Sequence, residues 1–309
     1  MSWTLLGAPL DSAGAGEGEE RAPAALRAAG IADAVGGAHD LGDVTSLLRP
    51  AERDPVTGVI AYAAVLEASR ALRDAVAGVL RDGRRPLVLG GDCALLPGVI
   101  AGCRVAGVEP GLWMVDGHPD AMDGVTSPTG EVADMDFAIV CGRGPTALVE
   151  LADPLPPPLL APARAVVLGL RPWGMDPGND DDLALMDETV WWRDAPAILA
   201  SGPHAVGQEA VARLAFPATH LGEVAEEVAP AAAWLHLDLD VLDASVMPAV
   251  SYPQPQGLTW EALEQLLAPL AASPALFGVS VSDLQADADP DGVFARRVVA
   301  LLGRVLPRA

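Results

Sequence analysis

Short apolar runs alternate with alanine-rich segments along the whole chain, and this alternation constrains the fold more than any other feature. The runs that we predict as buried strands are Trp3 to Leu6, Pro86 to Leu89, Leu112 to Val115, Ala165 to Leu168, Trp234 to Leu239 and Leu276 to Val281. The alanine-rich, arginine-dotted segment Ala61 to Leu80 is the clearest helix. Buried strands separated by helices form mostly parallel sheets with helices on both faces. The sequence therefore predicts an α/β fold with three layers, αβα.

Nothing along the chain suggests a division into separate units. No internal repeat is visible, and the proline-rich stretch Pro154 to Pro162 is typical of a surface connection rather than a domain linker. Hydrophobic residues make up 51% of the 309 residues, which is ample for a large core. We expect residues 1–309 to form a single domain.

The charge of the chain excludes several classes of protein. The formal net charge is −23, and all 19 basic residues are arginine. A field this negative repels phosphate backbones and attracts cations, so we expect no nucleic-acid partner and favour a metal ion or a guanidinium ligand. The absence of lysine excludes Schiff-base enzymes and Walker-type phosphate loops, because both need a primary amine.

The cysteines and the chain start indicate a compartment. Cys93, Cys103 and Cys141 are too few and too scattered for a disulfide framework or a structural zinc knuckle, which fits a reducing cytoplasm. Met1 to Leu10 lacks the basic start and long apolar run of a signal peptide, and no apolar stretch is long enough to span a bilayer. We expect a cytoplasmic protein without a membrane partner.

Three polar clusters each follow a predicted strand, where ligands bind in such sheets. They are Gly90-Gly91-Asp92-Cys93, Asp116-Gly117-His118-Pro119-Asp120, and Asp238-Leu239-Asp240 with Asp243 close behind. Because side chains alternate faces in an extended segment, Asp116, His118 and Asp120 are expected to point the same way. The same argument applies to His236, Asp238 and Asp240. We predict that one site collects all six side chains.

A site with this many carboxylates needs bound cations, because mutual repulsion in a buried pocket would otherwise raise several pKa values steeply. Oxygen ligands with one or two nitrogens suit manganese or magnesium better than zinc or copper, and bridging carboxylates suit a pair of ions. A single aspartate after a strand is more often a cap or turn residue, but three coinciding clusters weaken that alternative. We predict two divalent cations, with Mn2+ as first choice.

Two of these clusters resemble motifs of the arginase (ureohydrolase) family, which includes agmatinases. Asp116 to Asp120 resembles the family's Asp-Ala-His-x-Asp motif, and His236 to Asp243 resembles its Ser-x-Asp-x-Asp-x-x-Asp motif. Weaker matches in the family's order extend the resemblance over nearly the whole chain: Leu6 to Pro9, Arg21 to Arg27, Pro248, Gly257 to Thr259 and Asp289 to Gly292. The resemblance implies an arginase-like fold and a homo-oligomer, commonly a trimer or hexamer.

The resemblance also implies a ligand set and a reaction. Asp116 and Asp238 would bridge both ions, Asp120 and Cys93 would complete one ion, and His118 and Asp240 would complete the other. A hydroxide between the ions, held by Asp120, would attack a planar C–N carbon, and collapse of the tetrahedral intermediate would expel an amine.

The chain departs from the family at one implied metal ligand. The family's first motif is Gly-Gly-Asp-His, and Cys93 occupies its fourth position. A thiolate adds negative charge and softness, which would shift metal preference toward zinc or iron or weaken one manganese position. The alternative is a small buried cysteine beside an emptier site.

Other departures affect the implied catalytic residues. Ala133 stands where the family has a histidine credited with proton transfer, so Glu131 is a candidate proton donor or guanidinium clamp, or else has a simple loop role. Asp283 replaces a glutamate that pairs with the substrate guanidinium and is one methylene shorter. The substrate position would then differ, or Gln285 or Asp287 would assist.

The remaining histidines and one aspartate carry weaker signals. His236 stands in place of the family's usual serine and could ligate, relay protons or brace a ligand, of which bracing is favoured. Asp176 follows a strand near the loop that reads the amino-acid end of the substrate in arginases. We assign no role to His39, His204 or His220, because no motif surrounds them.

These observations predict hydrolysis of a guanidino or N-hydroxyguanidino compound to an amine plus urea or hydroxyurea. The variant at Cys93 resembles the hydroxyarginine-hydrolysing branch, so N-hydroxyarginine or a guanidino group on a secondary metabolite is favoured over L-arginine. Two alternatives stay open: a non-catalytic ureohydrolase-like binding protein, and hydrolysis of a formimino or amide group on the same metals.

Overall fold

A computed structural model describes residues 2–16, 18–215 and 232–308. The strands within these ranges are β1 (Trp3–Ala8), β2 (His39–Asp43), β3 (Arg85–Gly90), β4 (Gly111–Val115), β5 (Ala165–Leu170), β6 (Trp191–Asp194), β7 (Ala233–Asp238) and β8 (Leu276–Ser282). The helices are α1 (Ala22–Ala28), α2 (Ile31–Ala34), α3 (Tyr62–Arg81), α4 (Leu96–Val105), α5 (Asp136–Val140), α6 (Thr146–Val149), α7 (Pro177–Leu183), α8 (Ala195–Ser201), α9 (Pro203–Ala215), α10 (Trp260–Ala272) and α11 (Val293–Val305).

The eight strands of the described ranges form one sheet in the order β2-β1-β3-β8-β7-β4-β5-β6. Every neighbouring pair is parallel. One apolar core lies between the sheet and helices that include α3, α4 and α5, and a second lies between the opposite face and helices that include α1, α10 and α11. The predicted three-layer αβα fold is confirmed.

The six predicted strands and the predicted long helix are all present. The helix begins at Tyr62, directly after Ala61, whose φ of 51° is outside the helical region. The sequence analysis missed β2 and β6, the two edge strands. His39–Asp43 is mostly exposed and Trp191–Asp194 only partly buried, so neither presents the continuous apolar run of a central strand.

The connectivity of the sheet positions the site. The chain passes from β3 to β4 with β8 and β7 lying between them, and these four neighbouring strands all end at the same edge because they are parallel. Loops that leave this edge in different directions open a crevice there. None of the helices in the described ranges is long and apolar enough to cross a membrane.

Candidate metal centre

A cavity of about 540 Å³ opens at this carboxyl-terminal edge of the sheet. Twelve acidic residues line it: Asp11, Glu19, Asp92, Asp116, Asp120, Glu131, Asp134, Asp176, Asp182, Asp238, Asp240 and Asp283. Cys93 and His118 also line it, and no arginine of the described ranges does. A concave surface with this composition concentrates cations.

Turns, rather than the pleat of a strand, direct the motif side chains into the cavity. β4 ends at Val115 and β7 at Asp238, so most of the motif lies beyond regular strand. Asp116 Oδ1 accepts a hydrogen bond from the His118 amide, and Asp238 Oδ1 accepts one from the Asp240 amide, each at 2.7 Å. The structure brings these side chains together, and strand alternation accounts for His236 and Asp238, which both lie in β7. It does not account for the residues beyond the strand ends, where local Asp-turn hydrogen bonds curl the backbone.

One side of the cavity contains a balanced pair of charges. His118 Nδ1 lies 2.5 Å from Asp240 Oδ2, and the Gly117 amide donates to Asp240 Oδ1 at 3.0 Å. Burial opposes ionisation of Asp240, but His118 and then Arg171 hold its pKa at about 2. Burial likewise opposes protonation of His118, and Asp240 nevertheless raises the pKa of its imidazole. Arg171 donates to the Asp240 carbonyl oxygen at 2.6 Å and fixes this turn.

The opposite side of the cavity is built around Cys93, which follows β3. Its thiol donates to Asp238 Oδ2 at 2.6 Å, and its Sγ lies 3.1 Å from Ser282 Oγ and 3.3 Å from His236 Nε2. Burial, and then the negative charge of Asp238 and Asp116, raises the pKa of the Cys93 thiol well above its usual value. Without cations, this side chain is a thiol and not a thiolate.

His236 is fully buried in β7, with its ring facing Cys93. Its Nδ1 lies 2.8 Å from Ser280 Oγ, which also accepts a hydrogen bond from the Trp234 indole at 2.9 Å. Burial lowers the pKa of His236 to about 3, so the ring is neutral at physiological pH. A neutral imidazole held at one nitrogen offers the other nitrogen in a fixed direction.

Several buried carboxylate oxygens of the site lack hydrogen-bond partners among the described residues. They are Asp116 Oδ2, Asp283 Oδ2 and both oxygens of Asp136. Burial, and then neighbouring carboxylates, raises the pKa of Asp116 and Asp120 well above their ordinary range and that of Asp238 to about 8. Unpaired buried carboxyl groups of this kind are costly, and a bound cation removes the cost.

The donor atoms are close enough together for cations. Four groups have ligand atoms within 4.8 Å of one another: Cys93 with Asp116, His236 and Asp238; Cys93 with Asp120 and Asp136; Asp116 with His118 and Asp240; and Asp238 with Asp240 and Asp283. Every residue predicted as a ligand belongs to at least one group. The orphaned oxygens and the mainly oxygen donor set fit divalent cations.

The sequence analysis missed several acidic residues of the site, among them Glu19 and Asp136, which lie beside predicted site residues. Glu19 lies beside Asp283, and burial, then Asp92, raises its pKa to about 8. Asp136 is fully buried next to Cys93 and Asp120. A signal for Asp136 does exist, since this acid directly precedes the apolar run Phe137 to Val140. No pattern distinguishes Glu19 from other acids of its loop.

The candidate substrate residues lie at different depths. Asp283 is buried and accepts a hydrogen bond from the Ser251 amide at 3.0 Å. Glu131 and Ala133 line the cavity, as does Asp176, which caps α7 through the Gly178 amide.

The neighbours considered as helpers of Asp283 lie elsewhere. Asp287 forms an ion pair with Arg21 at the surface, and neither Gln285 nor Asp287 lines the cavity. His39 and His204 are exposed on other parts of the molecule, and His220 lies outside the described residues.

Comparisons with known proteins agree on one family. The family model described as the arginase family matches residues 1–306. The arginase of Bacillus caldovelox is 29% identical over 307 residues, covering 97% of this chain and 96% of that protein. The arginase of Brevibacillus brevis is 27% identical and covers 98% of this chain and 96% of that protein. The structure of the Bacillus caldovelox arginase superposes with a TM-score of 0.85 at 26% identity, covering 100% of this chain and 99% of that chain.

The agreement therefore extends over nearly the whole length of the chain. Because the family model spans nearly every residue, the chain belongs to the arginase family, whose members are metal-dependent hydrolases of C–N bonds in amidino compounds.

Proposed function

We propose that the protein is a binuclear-metal amidinohydrolase that cleaves a guanidino or N-hydroxyguanidino compound to an amine plus urea or hydroxyurea. The observation that carries the proposal is the convergence of buried carboxylates with unpaired oxygens on one cavity, beside the His118–Asp240 pair. In this proposal residues 1–309 act as a single catalytic domain.

The proposed ligands of two divalent cations are Cys93, Asp116, His118, Asp120, Asp238 and Asp240. Asp116 and Asp238 would contribute to both ions, as the family resemblance implies. Both belong to two of the close groups, as do Cys93 and Asp240. The predominance of oxygen donors favours Mn2+. When bound, the two cations supply positive charge that lowers the pKa of a water molecule toward neutrality.

The residues of the chain orient the reactants. In this proposal Asp120, which is 7% exposed, would accept a hydrogen bond from the attacking water and orient it toward the substrate carbon. Asp283, with Glu19 beside it, would accept hydrogen bonds from the guanidinium. Glu131 is the proposed proton donor to the leaving amine, since Ala133 carries no titratable group.

The lining of the cavity supports a limit on the far end of the substrate. Glu131, Asp134 and Asp176 line it, and no arginine of the described ranges does. The hydroxyls of Ser127 and Thr129 both donate to Asp134 Oδ2 at 2.7 Å, so their protons are not directed to a substrate carboxylate. This favours a compound with an uncharged or cationic far end over L-arginine, and equally over N-hydroxyarginine, which carries the same carboxylate.

The test combines metal analysis with product detection. Purified protein, with and without added Mn2+, is incubated with arginine, N-hydroxyarginine, agmatine, guanidinobutyrate and longer guanidino compounds, and urea and hydroxyurea are quantified. The Asp116→Asn variant is the matched control. Two ions per chain with turnover that this variant lacks would support the proposal.

Other outcomes favour the alternatives. At most one ion per chain and no product across the panel would favour a binding protein. Release of formamide or ammonia from formimino or amide substrates, with no urea, would favour a different hydrolase on the same metals.

The proposed assembly is a homo-oligomer of three or six copies, in keeping with the family. Light scattering during size-exclusion chromatography measures its mass. A monomer of 31.7 kDa would contradict this part of the proposal.

A further inference from the structure

We propose that Asp136 is an additional ligand of the ion bound at Cys93, so that this position is completed by a residue outside the motifs shared with the family. The inference rests on the metal centre proposed above. Asp136 is the first residue of α5 and is fully buried. Neither of its carboxylate oxygens has a hydrogen-bond partner among the described residues.

The carboxylate faces the metal centre. One Asp136 oxygen, the Cys93 sulfur and one Asp120 oxygen all lie within 4.8 Å of one another. Two ligands on opposite sides of one cation, each roughly 2.1–2.3 Å away, are separated by about 4.5 Å. The three atoms can therefore share a single ion after a small adjustment of their side chains.

Within the part of the chain that the structure describes, the charges that act most strongly on Asp136 are negative. They belong to Asp238, Asp92 and Asp182, while the backbone amide of the adjacent Phe137 favours the anion. Cys93 and Asp120, which lie close to Asp136, add no positive charge. A buried carboxylate that is surrounded by other acids is stable as an anion only when a cation lies beside it.

Asp136 also offsets the chemical change at Cys93. A cysteine in place of a histidine shortens the side chain and replaces a nitrogen donor by a soft sulfur, which alone favours zinc or iron. An added carboxylate returns a hard donor to the same position. With Asp116, Asp120, Asp136 and Asp238 around it, the Cys93 position is dominated by oxygen and keeps its preference for Mn2+.

The experiment compares Asp136→Asn with Asp182→Asn in the full-length chain. Asp182 is also a buried acid of the cavity, but it belongs to none of the close groups and instead accepts a hydrogen bond from the Ala121 amide at 2.8 Å, which asparagine preserves. Equilibrium dialysis with elemental analysis measures Mn2+ per chain across a range of free Mn2+. Electron paramagnetic resonance distinguishes coupled pairs from single ions.

We expect two ions per chain in the natural protein and in Asp182→Asn. In Asp136→Asn, the second ion should bind about 10- to 100-fold more weakly, the range seen when the supporting groups of a metal site are removed. At intermediate Mn2+ concentrations, the paramagnetic resonance signal of coupled Mn2+ pairs should be replaced by that of single Mn2+ ions. The ratio of Zn2+ to Mn2+ affinity should rise in this variant alone.

Thermal unfolding separates ligation from a purely structural role. Without metal, Asp136→Asn should melt at the same temperature as the natural protein or higher, because an unpaired buried acid is replaced by a neutral amide. The increase in melting temperature on adding Mn2+ should be smaller than in the natural protein. A residue that only supports the fold would instead lower the melting temperature in both states.

Two results would overturn the inference. If Asp136→Asn binds two Mn2+ ions as tightly as the natural protein, Asp136 is not a ligand, and the proposed function stands. If the natural protein binds no Mn2+, both the proposed metal centre and this inference are wrong.

Discussion

The two sides of the acidic cavity neutralise their charge in different ways. The His118 side, consisting of Gly117, His118, Arg171 and Asp240, contains its own positive groups, and the pKa of Asp240 is about 2. The Cys93 side consists of Cys93, Asp120, Asp136, His236 and Asp238. Its one basic side chain, the His236 imidazole, is neutral, and the pKa of Asp238 is about 8. Asp238 and Asp240 are two residues apart, so the difference comes from their neighbours and not from residue type.

This contrast shows which part of the site depends on bound ions. The His118 side is already organised by an ion pair and by hydrogen bonds to the backbone. On the Cys93 side, unpaired oxygens and raised pKa values leave the charge to be balanced by cations. The Cys93 side, where Cys93 and His236 stand in place of the family's usual residues, is therefore expected to respond more strongly to metal removal than the His118 side.

The largest expected effect comes from Asp238→Asn, which alters both sides at once. Asp238 is close to Cys93 and His236 and also to Asp240 and Asp283. Loss of a bridging charge should lower kcat/KM by about 10³-fold or more and reduce bound Mn2+. Steady-state kinetics with elemental analysis checks this. Activity within tenfold of the natural protein would show that the residue does not bridge.

Unequal effects of two single substitutions would sharpen the comparison. His118→Asn removes a nitrogen donor and leaves Asp240 without its partner, and we expect about a 100-fold loss of activity. Cys93→Ser removes a sulfur whose position is surrounded by other donors, and we expect about a tenfold loss. Both are measured as kcat/KM at saturating Mn2+. The reverse order would mean that the Cys93 thiolate dominates binding of its ion.

Asp283 tests the substrate side of the cavity, where it lies with Asp238 and Asp240. A charge-assisted hydrogen bond to a guanidinium contributes about 1.5–3 kcal/mol. Asp283→Asn should therefore raise KM for guanidino substrates by roughly 10- to 100-fold, with a smaller change in kcat. Asp283→Glu keeps the charge and is the matched control. Equal KM values in all three proteins would remove Asp283 from substrate binding.

The smallest expected effect is a pH dependence of stability in the metal-free protein. The pKa of Asp238 rises from its ordinary value of 3.8 to about 8 on folding, so the folded chain holds the proton more tightly. The resulting contribution of Asp238 to the free energy of unfolding is fully present below about pH 4 and is lost as pH rises through 8. Melting temperature should fall by roughly 5 °C or more between pH 5 and 9.

Bound Mn2+ should weaken or reverse this trend, because the cations compete with protons for the same carboxylates. In the metal-free Asp238→Asn variant, melting temperature should fall less steeply with pH. Differential scanning calorimetry at fixed ionic strength measures both. A metal-free melting temperature that rises over this range would show that the Cys93 side is not protonated as inferred.

Much of the fold was predictable because central strands of a parallel sheet are buried on both faces. Trp3–Ala8 and Ala165–Leu170 are almost entirely apolar, and the runs in the sequence mark them within two residues. The edge strand His39–Asp43 carries polar residues, since one edge and part of its surface face solvent. No apolar run exists there for sequence analysis to detect.

The candidate site was predictable to the extent that its residues follow strands directly. Asp116 and Asp238 lie at strand ends, so their convergence follows from a parallel sheet. Glu19 and Asp136 lie in segments whose path depends on packing against other loops and helices. Their role in the cavity emerges only when those contacts are known.

The layers of the fold, the family and the motif residues at the ends of β3, β4 and β7 follow from the amino-acid sequence, because hydrophobic periodicity and local turns are encoded in neighbouring residues. What surrounds each motif residue depends on the folded chain. Cys93 contacts His236 across 143 positions of chain, and Asp136 is brought beside both Cys93 and Asp120. The burial and the charge of a site depend on all the distant segments that surround it. The contrast between the two sides of the cavity therefore exists only in the folded protein.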